Sequence, residues 1–173
     1  MFKHIDLYKE LNISLENFNF DSEYIKSLKI ERFTDEYDLS KYAKSNDENI
    51  EYVNASKIID IPQLAKHHPL KQCKLSFFNT QYQNTFRMNS IFDLAVLNNK
   101  KNNVFIEKMG SNSLEELYSW FESSSGDDDL PTLIYLEDLD SYIVEDNGVH
   151  RSLFAKILNV KSFKAKVTPY IKK

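Results

Sequence analysis

The sequence predicts an α+β fold, a mixed sheet with helices preceded by an N-terminal helical extension, and three observations carry the prediction. Apolar residues near the N-terminus recur at helical spacing. Pro131-Thr132-Leu133-Ile134-Tyr135-Leu136 and Tyr142-Ile143-Val144 are β-rich runs around the turn signal Glu137 to Ser141, the pattern of a hairpin. The second run then passes through Asn147-Gly148 into the helical stretch Ser152 to Leu158 and the alternating segment Phe163-Lys164-Ala165-Lys166-Val167.

Taken in order, Ile5, Tyr8 and Leu11 form one helical stripe and Tyr24, Ile25, Leu28 and Phe33 a second, with Asp21 or Ser22 suited to cap the latter. Residues 1–49 therefore predict two or three helices, a decoration or lid that Asp38 to Ala43 extends and the polar run Ser45 to Asn49 ends. The second predicted domain, residues 50–173, opens with a short strand at Ile50 to Asn54. Ala55 to Ile59 then leads to Pro62, which cannot donate to a ladder. Leu75, Phe77 and Phe78 suggest a strand, Ile91, Leu94, Ala95 and Leu97 a helix, and Val104-Phe105-Ile106 another strand or turn. Ser113 stands three residues before Glu116 in capping-box spacing, and Leu114, Leu117, Trp120 and Phe121 share the apolar face of the helix that follows. Asn159 is a suitable end for the helix after Gly148, and Tyr170 and Ile171 fall in a short tail.

With 173 residues, 42% apolar and 13% aromatic, the chain has the composition of an ordinary globular protein with a core sufficient to fold without crosslinks. A single cysteine, Cys73, excludes an intramolecular disulfide and a Cys-rich zinc site. A reducing, cytoplasmic location is the expectation, with no membrane partner and no signal peptide, since no apolar run approaches the roughly 20 residues needed to span a bilayer. The net charge of −4 argues against a generic DNA coat. Its distribution is uneven: every charged residue from Asp127 to Asp146 is acidic, every one from Arg151 to Lys173 is basic, and the sign changes at Asn147-Gly148-Val149-His150.

That switch coincides with the segment best suited to chemistry. Gly148, one of three glycines, stands at the entry to a helix, where it allows a positive φ or a close approach to a ligand. The first helical turn adds N–H groups and the positive end of the dipole. Arg151 supplies a planar fork of donors for phosphate oxygens, and His150 a group that hydrogen-bonds phosphate or moves a proton. Glu145 and Asp146 at the strand end are the nearest carboxylates for a metal ion, and Glu145 is also the candidate base. Glu137 and Asp138 are the second choice if the hairpin brings them to the same end. The competing reading of Glu145 and Asp146 is a solvated strand terminus, and that of His150 and Arg151 is a helical turn whose basic groups pair with the local acids. His67-His68-Pro69 lacks the neighbours of a metal site. Cys73 reads as a small core residue, and Trp120, Phe121, Phe77 and Phe78 as core rather than base-stacking platforms.

The stretch Tyr142 to Leu158, with Gly148-Val149-His150-Arg151 between strand and helix, resembles the ParB/sulfiredoxin-like superfamily, and Tyr52 to Ile59 is similar to that family's opening strand and Lys-Ile turn. The resemblance spans about residues 50–170 and implies binding of a nucleotide, ATP or another nucleoside triphosphate, with Mg²⁺. The phosphates would sit at Gly148, Val149 through its backbone, His150, Arg151 and Ser152. Val149 stands where sulfiredoxins have cysteine, which argues against sulfinic-acid repair. Only 22 residues follow Arg151, too few for the helix-turn-helix region of partition proteins. The expectation is a stand-alone, Mg-dependent NTPase with nuclease or phosphotransferase action as further chemistry, and DNA as a candidate partner toward which Lys161, Lys164, Lys166, Lys172 and Lys173 would steer. The alternative is a non-catalytic nucleotide-sensing regulator that binds a protein partner through its N-terminal helices.

Overall fold

A computed structural model describes residues 6–31, 37–62, 90–96, 100–123 and 129–173. Asp6 and Asp21 cap the first two helices, α1 (Leu7–Asn17) and α2 (Ser22–Ile30), each carboxylate accepting from the backbone N–H three residues on. The segment Asp38 to Ala43, expected to extend the helices, instead makes a single 3₁₀ turn and enters strand β1 (Tyr42–Lys44), because a long C-terminal strand offers it an edge. Strands β2 (Asn49–Val53) and β3 (Ile58–Asp60) follow on either side of a second 3₁₀ turn capped by Asn54.

Three helices come next, α3 (Ile91–Ala95), α4 (Lys100–Ser111) and α5 (Leu114–Ser123). The strand or turn expected at Val104-Phe105-Ile106 lies inside α4. Three adjacent apolar residues carry no period, whereas buried Asn102, Ile106 and Met109 recur at helical spacing across them. The capping box that opens α5 forms as expected: Glu116 N donates to Ser113 Oγ at 3.1 Å and Ser113 N to Glu116 Oε2 at 2.8 Å. The chain closes with β4 (Thr132–Leu136), β5 (Ser141–Val144), α6 (Val149–Ile157) and β6 (Phe163–Lys172). Tyr170 and Ile171, expected in a tail, belong to β6, since β1 pairs with Tyr170 to Lys172.

The described residues thus form a mixed α+β structure with six α-helices around a six-stranded mixed sheet. Strand order is β1-β6-β4-β5-β3, with β2 also on β6. One edge of β6 takes β2 against its first half and β1 against its end, both antiparallel, while β4 runs parallel along the other edge. The β4–β5 hairpin is antiparallel and β3 joins β5 in parallel. Alternation assigns the two faces. Leu133, Tyr142, Val144, Phe163, Ala165 and Val167 face the main core, which they share with Leu11 and Leu15 of α1, Leu28 of α2, Phe121 of α5 and Leu153 and Phe154 of α6. Ile134, Leu136 and Ile143 face the other way, under Tyr37, Leu39, Tyr42, Ile59 and Tyr170. The N-terminal helices bury apolar faces in the same core as the sheet, but on α1 that face is Leu7, Leu11 and Leu15, while Tyr8 of the expected stripe is exposed. No helix among the described residues is long and apolar enough to cross a membrane. The sequence readings at Ile5, Phe33, His67, His68, Pro69, Cys73, Leu75, Phe77, Phe78, Leu97, Asp127 and Asp128 lie outside the described residues.

Candidate functional site

The link from β5 to α6 is held from below by β4. Glu145 N donates to the Thr132 carbonyl at 2.8 Å, Asn147 N to Thr132 Oγ1 at 2.9 Å, and Asn147 Nδ2 to the Leu130 carbonyl at 3.1 Å. Gly148 then turns the chain with φ +73°, and a Cβ there would stand 2.6 Å from Pro131. Glycine is required by the backbone conformation and by the approach of Pro131, independently of any ligand. No side chain caps α6 at this end.

From that first turn the expected residues diverge. Val149 and Ser152 turn inward: the Val149 side chain is in the core, and Ser152 is fully buried, its Oγ without a hydrogen-bond partner among the described residues. His150 and Arg151 are half-buried and remain at the surface of the site. His150 Nδ1 lies 2.8 Å from Oδ1 of Asn102, a fully buried side chain of α4. Burial, with the Lys101 charge beside it, holds the imidazole below its ordinary pKa. The Arg151 guanidinium carbon sits 5.0 Å from the centre of the Trp120 ring on α5, over which Lys108 Nζ also lies, at 4.2 Å. Burial lowers the Arg151 pKa while Asp129 opposes the shift, and an arginine remains charged across the physiological range.

Glu145 and Asp146 are exposed at the strand end. Glu137 and Asp138 do not reach them. The hairpin register pairs Leu136 with Ser141 at one end and Leu133 with Val144 at the other, so the turn lies a strand's length from Gly148. There Asp138 accepts from Tyr42 Oη at 2.9 Å and pairs with Lys172 at 3.4 Å, while Asp140 pairs with Lys57 at 2.7 Å. Among the described residues no three His, Cys, Asp or Glu side chains group to hold a metal. A cavity of about 510 Å³ bounded by Ser14, Phe18, Met109, Ser113 and Leu114 shares no residue with the α6 entrance.

Asn102, Lys101 and Lys108 are additions that sequence reasoning missed. All three lie on α4, whose identity as a helix was not recognised, and Asn102 is 48 residues from the histidine it touches. Trp120 was read as core and is in part a platform for Arg151. What the structure assembles is a helix entrance bearing His150 and Arg151, with Lys101 beside His150, Trp120 under Arg151 and the exposed Glu145 and Asp146 on the strand end before it. No family model matches the chain, and no curated protein or solved structure matches it.

Proposed function

We propose that this protein binds the phosphate groups of a nucleotide at the entrance to α6 and acts as a nucleotide-utilising enzyme of ParB/sulfiredoxin-like type, an NTPase with nuclease or phosphotransferase action as further chemistry. The observation that carries the reading is the set of cationic groups about the first turn of α6. Arg151 and, beside His150, Lys101 stand with the positive end of a helix dipole where no side chain occupies the cap. The Arg151 guanidinium carbon lies 5.0 Å from the centre of the Trp120 ring, a contact that limits the side chain's freedom and lowers the entropy lost on gripping phosphate. The order Gly148-Val149-His150-Arg151 between β5 and α6 supports the same reading.

The donor chemistry fits Mg²⁺ in its usual nucleotide-bound form. Magnesium takes one or two carboxylates, and substrate phosphates and water complete its shell; Glu145 and Asp146 are exposed oxygen donors beside the cradle and would be those carboxylates. Bound there, the ion would offset charge developing on the phosphate oxygens. The chain's own contribution is to hold the non-bridging oxygens with Arg151 and the α6 N–H groups, so that the phosphorus is fixed relative to an attacking oxygen.

Thermal denaturation with ATP, CTP, GTP and ADP, each with and without Mg²⁺, tests the reading. A nucleotide at a hundred times its dissociation constant adds about 2.7 kcal/mol to the folded state, which raises the melting temperature by roughly 5–10 °C. Arg151→Ala should abolish the rise. A wild-type chain that no nucleotide stabilises, or an Arg151→Ala chain stabilised equally, rules the phosphate site out. The regulator reading has one observation in its favour: α2 holds the opposite end of α6, Tyr24 Oη donating to the Ile157 carbonyl at 2.7 Å. Glu145→Gln separates the two. As an enzyme the protein should lose turnover while keeping nucleotide binding; a regulator should show binding and no turnover in the wild type.

A further inference from the structure

We propose that His150 and Asn102 form a base and its positioning residue: Nε2 of His150 takes the proton from a water or hydroxyl group attacking the bound phosphate, and Asn102 holds the imidazole in the tautomer that leaves Nε2 unprotonated. This rests on the phosphate-site reading. Of the two roles that the sequence suggests for His150, it selects moving a proton over hydrogen-bonding phosphate, and it assigns the atom that does so.

The tautomer follows from atoms that have no choice. Asn102 Nδ2 lies 2.9 Å from the Leu94 carbonyl oxygen at the end of α3, and a carbonyl only accepts, so the amide orientation is fixed. Its Oδ1 is thereby the atom that faces His150 Nδ1 at 2.8 Å, and since Oδ1 only accepts, Nδ1 carries the hydrogen. In a neutral imidazole the lone pair is then on Nε2. The described charged groups about this end of α6 are Lys101 on α4, Arg151 next to the ring on α6, Asp129 against Arg151, and Glu145 and Asp146 on the strand end before Gly148. Burial, and after it the Lys101 charge, disfavour protonation, so the imidazole titrates below its ordinary range and the neutral ring prevails near pH 7. A neutral ring in this tautomer has no Nε2–H to offer a phosphate oxygen, but it accepts from an O–H.

In the step, the O–H bond of the attacking water or hydroxyl breaks and its proton passes to Nε2. The new O–P bond forms as the bond from phosphorus to the leaving oxygen breaks, the electron pair staying with that oxygen. The imidazolium then returns its proton to the leaving oxygen or to solvent. Asn102 Oδ1 accepts from Nδ1–H throughout, so the ring does not reorient when its charge changes. The substrate class is a phosphoanhydride or phosphate ester with an oxygen nucleophile.

Imidazole ¹⁵N–¹H correlation spectra of the labelled full chain from pH 5 to 8, with the His150 signals identified by their loss in His150→Gln, read the tautomer directly. The expected result is Nδ1–H, with a midpoint below the ordinary 6.5. Asn102→Asp keeps an acceptor and adds a negative charge, which should raise the His150 midpoint by roughly one pH unit or more; the acid limb of phosphate release from Mg·ATP should rise with it. Asn102→Ala should populate Nε2–H and lower kcat roughly 10²-fold while the ATP-induced rise in melting temperature persists. If Asn102→Ala does not fold, the wild type and Asn102→Asp decide. An Nε2–H wild type, a pH profile unmoved when the midpoint moves, or nucleotide binding without phosphate release each overturn the base. Absence of any nucleotide-induced thermal shift overturns the phosphate site itself, and the base falls with it.

Discussion

The two ends of α6 are built on opposite principles. At the C-terminal end the backbone carbonyls are closed off. Tyr24 Oη donates to Lys156 O at 3.1 Å and Ile157 O at 2.7 Å, and Tyr118 Oη to Leu158 O at 2.7 Å. Asn159 adopts a left-handed conformation with φ 53°, so that Val160 N reaches Ala155 O and Asn159 N reaches Lys156 O, the two bonds of a Schellman motif. Burial pushes both tyrosine hydroxyls up in pKa, which keeps them protonated donors. The buried Lys156 pairs with Glu31 at 3.1 Å. At the N-terminal end a glycine makes the turn, no side chain caps the helix, and the cations Arg151 and Lys101 share the surface with the acids Asp129, Glu145 and Asp146. A helix buried almost throughout must satisfy the polar groups at each end. This one is satisfied by the protein at one end and, in our reading, by an anionic ligand at the other.

The largest effect that can break this contrast is at Gly148. Alanine there would carry the left-handed strain of a non-glycine residue and overlap Pro131, a loss of about 3 kcal/mol. Chemical denaturation should show it directly, and an unchanged midpoint would mean that the entrance relaxes around the added methyl group. Tyr24→Phe comes next. It strips a donor from two carbonyls at the closed end, at a cost of about 1–2 kcal/mol, and nucleotide affinity measured by calorimetry should stay as in the wild type. A changed affinity would show that α2 acts on the open end through α6 and would sharpen the regulator reading.

The smallest effect is a pH dependence of stability at the open end. His150 has its folded pKa below the unfolded value of about 6.5, so the unfolded chain binds the extra proton first. Its contribution is therefore fully present above pH 6.5 and is lost as the pH falls through that value toward the folded pKa. Melting temperatures of the wild type should decline over this range more steeply than those of His150→Gln, and parallel curves would show that the imidazole is not held neutral by its surroundings.

Of the closed end only the stop at Asn159 was legible in the sequence, since the Tyr24 and Tyr118 hydroxyls that cover its carbonyls come from 133 and 40 residues away. Local devices were legible throughout the chain. Asn159 as a helix end, Asp21 as a cap and the Ser113–Glu116 box are local devices whose partners lie within a few residues, and each forms. The hairpin and the strand–Gly148–helix order likewise depend on neighbours in the chain. Where apolar residues stood together without a period, as at Val104-Phe105-Ile106, the element was misread, and with it went the surface of α4 that faces His150.

By itself, then, the sequence determined the turn at Gly148, the helix behind it and the presence of His150 and Arg151 on its first turn, because a glycine, a dipole and a three-residue spacing act over a few ångströms along the chain. Tertiary structure alone decided that β6 carries β1 and β2 on one edge and β4 on the other. It alone sent Ser152 inward, set Arg151 over Trp120 and placed the buried Asn102 amide against the His150 ring. These contacts join residues tens of positions apart, and a pairing across such a distance leaves no periodicity in the chain. It is selected only when the core closes and buried polar groups such as the Asn102 amide find their partners.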